Sequence, residues 1–331
     1  MTLEEVARRA GVSTATVSRV LNKAGVVRET TRKRVLQAAR ELRYHPNLHA
    51  RTLAGAKSNT LGMIVSNIEN PFFIDIFRSL ESAALQRGYE VVVEHTDYKS
   101  SRLVTCARAM LGRRVAGLAA IVSEMEPSLI EELTESDVPV VFYDVGLPAR
   151  NITNIRVRYE RGMQRTVEYL YSMGHRRMAF VGHHASLGPL QARKKTFIET
   201  MARYSGQVQF TAALNTDSPA GGKQAAHELL ASDFRPTAVL CVNDFMALGV
   251  IRELRDQGFS VPRDISVTGF DNIQLSEFSN PALTTVNIPR RKIGQMAFEA
   301  LAPKESSGDR PREFVIDPEL LVRESTGPPP V

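Results

Sequence analysis

Three short stretches at the start of the chain carry apolar side chains at the spacing of an α-helix. The apolar face of the first stretch consists of Leu3, Val6, Ala7 and Ala10. In front of it Thr2 and Glu5 have the spacing of a capping box, and behind it Gly11 permits the left-handed turn that ends many helices. The pattern predicts a first helix of about two turns.

The second and third stretches extend this helical pattern. The second begins after Ser13, a favourable N-cap residue, and turns Val17, Val20 and Leu21 toward the interior. The third spans about residues 30–43. Its inward positions are Val35, Ala38, Ala39 and Leu42. Two short helices joined by a turn that contains glycine are typical of a helix-turn-helix, whose second helix enters the major groove of DNA.

The outer face of the second helix is small and polar, which allows its backbone to approach base edges. The DNA contacts predicted on this face and beside it are Thr14, Ala15, Thr16, Ser18, Arg19 and Asn22. Arg19 is the best candidate for base readout, because a guanidinium can pair with both guanine acceptors. Ala15 offers apolar contact, for example to a thymine methyl, whereas Ser18 and Asn22 suit phosphates. A three-helix capping element with a coincidentally polar face is the alternative.

From Thr60 onward, apolar strand-like runs alternate with helical patterns. The runs occupy residues 61–65, 89–94, 115–122, 138–143, 176–182, 237–242 and 265–270. The helical patterns lie near residues 72–87, 101–112, 127–136, 159–173, 190–203, 219–231, 244–257 and 290–301. Continuous apolar strands between helices are typical of buried parallel sheets, and the similar order of the two halves predicts two doubly wound subdomains.

The charge is concentrated at the start of the chain. The 331 residues carry a formal net charge of +6 at pH 7. Residues 1–57, the head, hold 12 basic and 4 acidic residues, so the head carries +8 and the remainder, the body, carries −2. A concentrated basic segment is the electrostatic footprint of polyanion binding. Charge and helical pattern together favour a DNA-binding head over a merely solvated basic face.

Composition and motifs exclude several classes of protein. Two cysteines cannot build a disulfide framework, no run reaches the roughly 18 apolar residues of a membrane helix, and the first residues do not form a secretory signal. We therefore expect a cytoplasmic protein. Phosphate-binding, dinucleotide-binding and nucleophile-elbow motifs are missing, so no enzyme, cofactor or metal is expected. The adjacent His183 and His184 lack the spacing of helix-borne metal ligands and are expected in a surface loop.

Polar and aromatic residues follow the predicted strands where those strands end. They are Asn70, Phe72, Phe73, Asp144, Arg193, Asn243, Asp244 and Asp271. Ligands of parallel sheets bind at the carboxyl ends of the strands, and two such edges would face each other across a cleft. Aromatic faces beside planar polar groups suit a sugar. Structural roles as helix caps, turn caps or core are the alternatives for several of these residues.

The sequence of residues 2–22, TLEEVARRAGVSTATVSRVLN, resembles the head of the LacI family of bacterial transcription repressors. The following stretch ELRYHPNLHARTLAG resembles that family's transition into a hinge helix. The segments NPFF, NDFMALG and GFDN are similar to ligand loops of the periplasmic sugar-binding fold that the family's bodies share. The resemblance extends over about residues 2–324, with a departure at Arg28, where relatives usually carry a small polar cap for the third helix. A second departure is Val145, where some sugar binders carry a charged or aromatic residue beside the aspartate.

This resemblance implies a homodimer on a near-palindromic DNA operator, controlled by a small effector, a sugar or sugar derivative. It implies that Leu53 lies on a short hinge helix and wedges between central base pairs in the minor groove. It also implies that the residues at the strand ends form the effector site. Whether the effector releases the protein from DNA or recruits it stays open, because either closure state of the cleft could be the DNA-competent one.

The predicted fold is a small all-α helix-turn-helix head followed by an α/β body. The body has two doubly wound parallel-sheet subdomains, as in periplasmic binding proteins, joined by three crossovers. We expect a DNA-binding domain at 1–46, a hinge and linker at 47–59, and an effector-binding and dimerisation domain at 60–331. Its N-subdomain covers about 60–157 and 287–311, and its C-subdomain about 158–286 and 312–331. Two alternatives remain: a body that answers to a protein partner, and a sugar-binding protein or enzyme with an accessory DNA head.

Overall fold

The computed structural model of the chain describes residues 1–21, 26–44, 58–146, 148–184, 188–204, 206–302 and 312–330. The chain divides into two compact units, Met1–Ser58 and Asn59–Val331, which correspond to the head and the body. Among the described residues, no helix is both long enough and apolar enough to cross a membrane.

The head is a bundle of three helices: α1 (Leu3–Ala10), α2 (Thr14–Leu21) and α3 (Glu29–Glu41). Thr2 and Glu5 form the predicted capping box, and Gly11 ends α1 with a φ of 62°. The interior is apolar and contains the buried side chains of all three helices. Arg28 occupies the N-cap position of α3, and its side chain makes no cap hydrogen bond. The helix therefore begins without the small polar cap residue that relatives usually carry. The predicted helix-turn-helix is confirmed.

The first lobe of the body contains a six-stranded sheet in which all pairings are parallel. Its strands are β1 (Thr60–Val65), β2 (Glu90–His95), β3 (Gly117–Ile121), β4 (Val140–Tyr143), β5 (Ile152–Val157) and β11 (Arg312–Ile316), in the order β11-β5-β4-β3-β1-β2. Its helices are α4 (Pro71–Gln86), α5 (Ser100–Gly112), α6 (Pro127–Glu135) and α12 (Arg290–Leu301). Helices cover the sheet, which explains the apolar runs along its central strands.

The second lobe has the same architecture. Its strands are β6 (Arg177–His183), β7 (Gln209–Asn215), β8 (Ala238–Cys241), β9 (Ser266–Asp271), β10 (Thr284–Asn287) and β12 (Glu319–Leu321), in the order β12-β10-β9-β8-β6-β7. Its helices are α7 (Tyr159–Ser172), α8 (Gly188–Ala202), α9 (Pro219–Ala231), α10 (Asp244–Asp256) and α11 (Gln274–Phe278). Only the edge pairing of β10 with β12 is antiparallel among the described strands. The predicted pair of doubly wound sheets is confirmed.

The chain crosses between the lobes three times: after β5, after β10 and after β11. The third crossing differs from the expected subdomain boundary, which assigned residues 312–331 to the C-subdomain. Residues 312–316 form β11, which pairs in parallel with β5 in the first sheet. The crossing therefore follows Ile316, because these residues complete the edge of the first sheet before the chain leaves it.

Candidate effector site and DNA-binding surface

The outward face of α2 carries three of the predicted DNA contacts in exposed positions: Thr14, Ala15 and Arg19. Thr16 is half-buried and its Oγ1 lies 3.0 Å from the Oγ of Ser13, so this hydroxyl belongs to the start of the helix. Ser18 is also half-buried. The exposed face thus has a guanidinium and short side chains, which is what a helix needs to lie close to base edges.

Two further predicted contacts, Asn22 and Leu53, lie outside the described residues. The expected hinge helix at residues 47–54 lies outside them as well. Both therefore remain predictions.

Arg193 is a buried arginine in the second lobe of the body. It lies on α8, is only 5% exposed, and its Nη1 donates to the carbonyl of Val242 at 2.6 Å. Its Cζ lies 4.3 Å from the ring centroid of Tyr159 and 4.5 Å from that of Phe270. Two aromatic rings thus hold the guanidinium by cation–π contact and replace part of its lost hydration.

Asp271 ends β9 and faces Arg193. Its Oδ1 lies 3.8 Å from Nη2 of Arg193, and its backbone has a φ of 106°, in the left-handed region that a non-glycine residue rarely adopts. Burial raises the pKa of the Asp271 carboxyl to about 8, although the Arg193 guanidinium lowers it. Strain and an ionisable group in one buried position are typical of a ligand site.

Two atoms of this pair have no hydrogen-bond partner among the described residues. They are Nε of Arg193 and Oδ1 of Asp271, and both are buried. Nearly all buried polar atoms in proteins are hydrogen-bonded. The pair therefore offers one donor and one acceptor, side by side, to a third group.

Asp144 follows β4 and acts on this centre through Tyr159. One carboxylate oxygen accepts from the backbone N–H of Val157 at 2.6 Å, and the other accepts from the Tyr159 hydroxyl at 2.5 Å. Burial raises the pKa of Asp144 to about 7. Both oxygens are engaged, so Asp144 positions the Tyr159 ring that contacts Arg193.

Asn70 and Asn243 are helix caps, which is one of the structural alternatives given for the residues at the strand ends. Oδ1 of Asn70 accepts from the N–H of Phe72 at the start of α4, and Oδ1 of Asn243 accepts from the N–H of Met246 in α10. The amide nitrogens of both residues are then directed to one carboxylate, Asp217, at 3.2 Å and 2.6 Å.

Asp217 joins the two lobes and was missed by the sequence reasoning. It belongs to the second lobe, between β7 and α9, and is 6% exposed. From the first lobe it accepts hydrogen bonds from Asn70 and from the Tyr98 hydroxyl, and its carbonyl accepts from Asn67 at 3.2 Å. The Tyr98 ring also packs 4.7 Å from that of His183 in the second lobe. One sequence signal could have indicated this residue. Asp217 and Ser218 stand directly before Pro219 at the start of a predicted helix, and β7, which precedes them, was not predicted.

Phe72, Phe73 and Asp244 lie in the interior. The two rings are 4% and 5% exposed and meet edge-to-face at 5.2 Å, and Phe72 also lies 5.8 Å from the Tyr143 ring. They are part of the core beside the site. Asp244 is fully buried and braces the segment after β9.

The bonds of Asp244 account for both of its oxygens. It accepts from the N–H of Ile273 at 2.8 Å and from the hydroxyls of Ser276 and Thr285. Burial raises its pKa to about 6, and the three donors oppose that rise. Its carboxylate is therefore satisfied by the second lobe itself, in the way expected for a structural group.

Comparison with known proteins adds independent information. The model of the LacI family of bacterial regulatory proteins matches residues 2–47, and that of a periplasmic binding protein-like domain matches residues 167–326. The HTH-type transcriptional repressor PurR of Photobacterium profundum is 34% identical over 98% of each chain.

Solved structures show the same relationship. The lac repressor dimer bound to operator and the anti-inducer ONPF is 30% identical, with a TM-score of 0.80 over 99% of each chain. A LacI family regulator from Enterococcus faecium with bound ribose is 26% identical, with a TM-score of 0.69, and the match covers 81% of this chain and 99% of that one. The likeness thus includes both the head and the body.

Proposed function

Because the chain belongs to the LacI family and is a DNA-binding transcriptional repressor rather than an enzyme, we propose that it binds a near-palindromic operator as a homodimer in the cytoplasm. We further propose that a small sugar or sugar derivative binds between the lobes of the body and controls it. Two heads supply two half-sites, and their basic residues supply affinity that depends on salt.

The unpartnered atoms of Arg193 and Asp271 carry the effector proposal. A hydroxyl group is both an acceptor and a donor, so two neighbouring hydroxyls of a sugar can accept from Nε of Arg193 and donate to Oδ1 of Asp271. Such hydroxyls would replace hydration that the two buried atoms lose. The relative from Enterococcus faecium, with its bound ribose, supports a sugar.

Asp217 supports a role for cleft closure in the response. Asn70 and Tyr98 of the first lobe donate directly to Asp217 of the second, so hydrogen bonds join the two lobes across the cleft. An effector that binds these same groups changes the preferred closure state. By linkage, the operator must then change effector affinity by the same factor.

The homodimer proposal is supported by exposed apolar side chains on α11. Phe278 is 73% exposed and Leu275 is 48% exposed. Large apolar side chains that lie together in water mark interaction surfaces, and a twofold axis would pair this patch with its copy.

The effector proposal is tested by a thermal-shift screen against neutral sugars and sugar acids. We expect at least one sugar to raise the melting temperature of the wild type, and Arg193→Ala to abolish the rise because it removes the donor. Arg203→Ala, at an exposed arginine, is the matched control and keeps the response. A screen without any hit, or a hit that Arg193→Ala leaves unchanged, would falsify the site.

An operator-binding assay with the purified protein distinguishes control by a sugar from control by a protein partner. Operator binding by the purified chain, and its change on addition of the sugar, require no further component under our proposal. A sugar response that appears only with a cell extract would favour the partner.

A further inference from the structure

The second lobe contains a cavity that the effector site does not use. It has a volume of about 460 Å³ and lies against α8, β6 and β7. Its apolar wall includes Phe180, Leu190, Ile198 and Leu214. This volume is within the range of small-molecule sites, and a mainly apolar wall with a few polar groups is their usual character.

The polar groups of the cavity are mostly basic. Lys194, Lys195 and the pair His183-His184 line it, and among the described lining residues the acidic one is Glu199. Glu199 lies 3.7 Å from the ammonium group of Lys195 on the same helix. The cavity therefore has more positive than negative groups even after this pair is formed.

Lys194 is the lysine of the cavity that remains once Lys195 has paired with Glu199. It is half-buried, and within the parts of the chain that the structure describes it makes neither an ion pair nor a hydrogen bond. An ammonium group at the edge of an apolar wall binds best a ligand with an apolar body and one anionic end.

The effector cleft has a different character. Its centre is the buried guanidinium of Arg193, held between the rings of Tyr159 and Phe270 with Asp271 beside it. Buried polar groups favour a ligand that can hydrogen-bond to them, whereas the apolar wall of the cavity favours an apolar chain. The two sites therefore suit different ligands.

We propose that this cavity is a second ligand site, distinct from the effector cleft, for an amphipathic carboxylate. The apolar chain lies against Phe180 and Leu214, and the carboxylate pairs with Lys194. Val242 lines the cavity, and its carbonyl accepts a hydrogen bond from Arg193, so the two sites share one wall.

Octanoate and 1-octanol are matched probes, because they share the chain and differ in charge. By calorimetry on the full-length protein we expect octanoate to bind about tenfold more tightly than 1-octanol, the effect of one charge-assisted contact. Lys194→Gln removes that advantage and leaves 1-octanol unchanged. Lys292→Gln, at an exposed lysine of α12, alters neither affinity.

Leu214→Trp fills the cavity and abolishes binding of both probes, provided that its melting temperature shows a folded protein. If it unfolds, the Lys194→Gln comparison decides alone, since that substitution changes only a half-buried charge. Equal affinity of the wild type for the two probes, or an octanoate affinity that Lys194→Gln leaves unchanged, overturns the proposal. Neither result bears on the sugar screen, so this proposal and the effector proposal fail independently.

Discussion

Arg19 is exposed on α2, and its guanidinium makes no ion pair with other described residues of the head. We expect Arg19→Ala to weaken operator binding by about 1–3 kcal/mol and to weaken binding to a random duplex much less, because a base contact is lost. Fluorescence anisotropy with both duplexes measures the two losses. Arg34→Ala, at an exposed arginine of α3, is the control and should not discriminate between the duplexes. Equal losses for Arg19→Ala would make it a phosphate contact.

Asp144 gives a pH prediction at the same scale. Its pKa is raised to about 7 in the folded protein by burial, so the folded state binds a proton more tightly than the unfolded chain does. Its contribution to stability is therefore present at low pH and is lost as the pH rises toward 7. In Asp144→Asn this loss is absent, and the free energy of unfolding relative to wild type should rise by about 2 kcal/mol from pH 5 to pH 8.

Urea unfolding of both proteins at the two pH values checks this. Glu69→Gln, at an exposed carboxylate, serves as the control. A pH-independent difference between wild type and Asp144→Asn would mean that the carboxyl does not titrate in this range.

The sequence predicted Arg193 and Asp271 as site residues because each follows a recognisable strand. It could not show that Nε of Arg193 and Oδ1 of Asp271 lack hydrogen-bond partners among the described residues, since this depends on which donors and acceptors the tertiary structure places near them. Asp217 was missed for a related reason. Its donors Asn70, Tyr98 and Asn243 are distant in sequence, and no local pattern indicates that three of them converge on one carboxylate.

Helices α9 and α10 pack so closely that each needs a glycine at the contact. A Cβ on Gly249 would lie 1.9 Å from the carbonyl oxygen of Pro219, and one on Gly222 would lie 2.1 Å from that of Met246. Both obstacles are backbone atoms, so the helices would have to separate. We expect Gly249→Ala to destabilise the body by about 2 kcal/mol or more.

Denaturant unfolding measures this effect. Gly112→Ala in α5 is the matched control, because nothing lies within 4 Å of its Cβ position and alanine is the better helix former. Equal stabilities of the two variants would show that α9 and α10 can move apart at no cost.

Element prediction succeeded where one face or both faces of an element are buried. The predicted helices of the body lie within a few residues of their observed bounds, as for α9 at Pro219–Ala231, whereas the short α11 had no prediction. The strands without a prediction have weaker patterns. β5 mixes polar residues into its apolar run, and β7 is an edge strand with half-exposed and exposed positions. Their pairing is fixed by the sheet rather than by local hydrophobicity.

Phe278 leads to a prediction about the whole molecule. The wild type should sediment with a mass near twice its 36.7 kDa, and Phe278→Asp should sediment near 36.7 kDa, because a charge in the apolar patch prevents its burial against a second copy. Val322→Asp, at another exposed apolar side chain, should remain dimeric. A dimeric Phe278→Asp protein would place the interface elsewhere.

The division of charge between the units could be read from the sequence alone, because it requires only counting. A head of +8 and a body of −2 place the salt-dependent attraction to DNA in the first unit. The third crossover could not be read in the same way. β11 follows a long stretch without a strand pattern, and only its pairing with β5 shows which sheet it completes.

The bonds of Asp217 have a further consequence for affinity. The Asp217 carboxylate accepts hydrogen bonds from Tyr98 and Asn70. It therefore competes, within the same molecule, with any ligand hydroxyl that could accept from these two donors. Its local concentration is set by the fold and cannot be diluted, whereas that of a free ligand varies with supply. Under our proposal, the sugar concentration that produces a response is therefore set partly by Asp217, which the sugar must displace, as well as by the groups that the sugar binds.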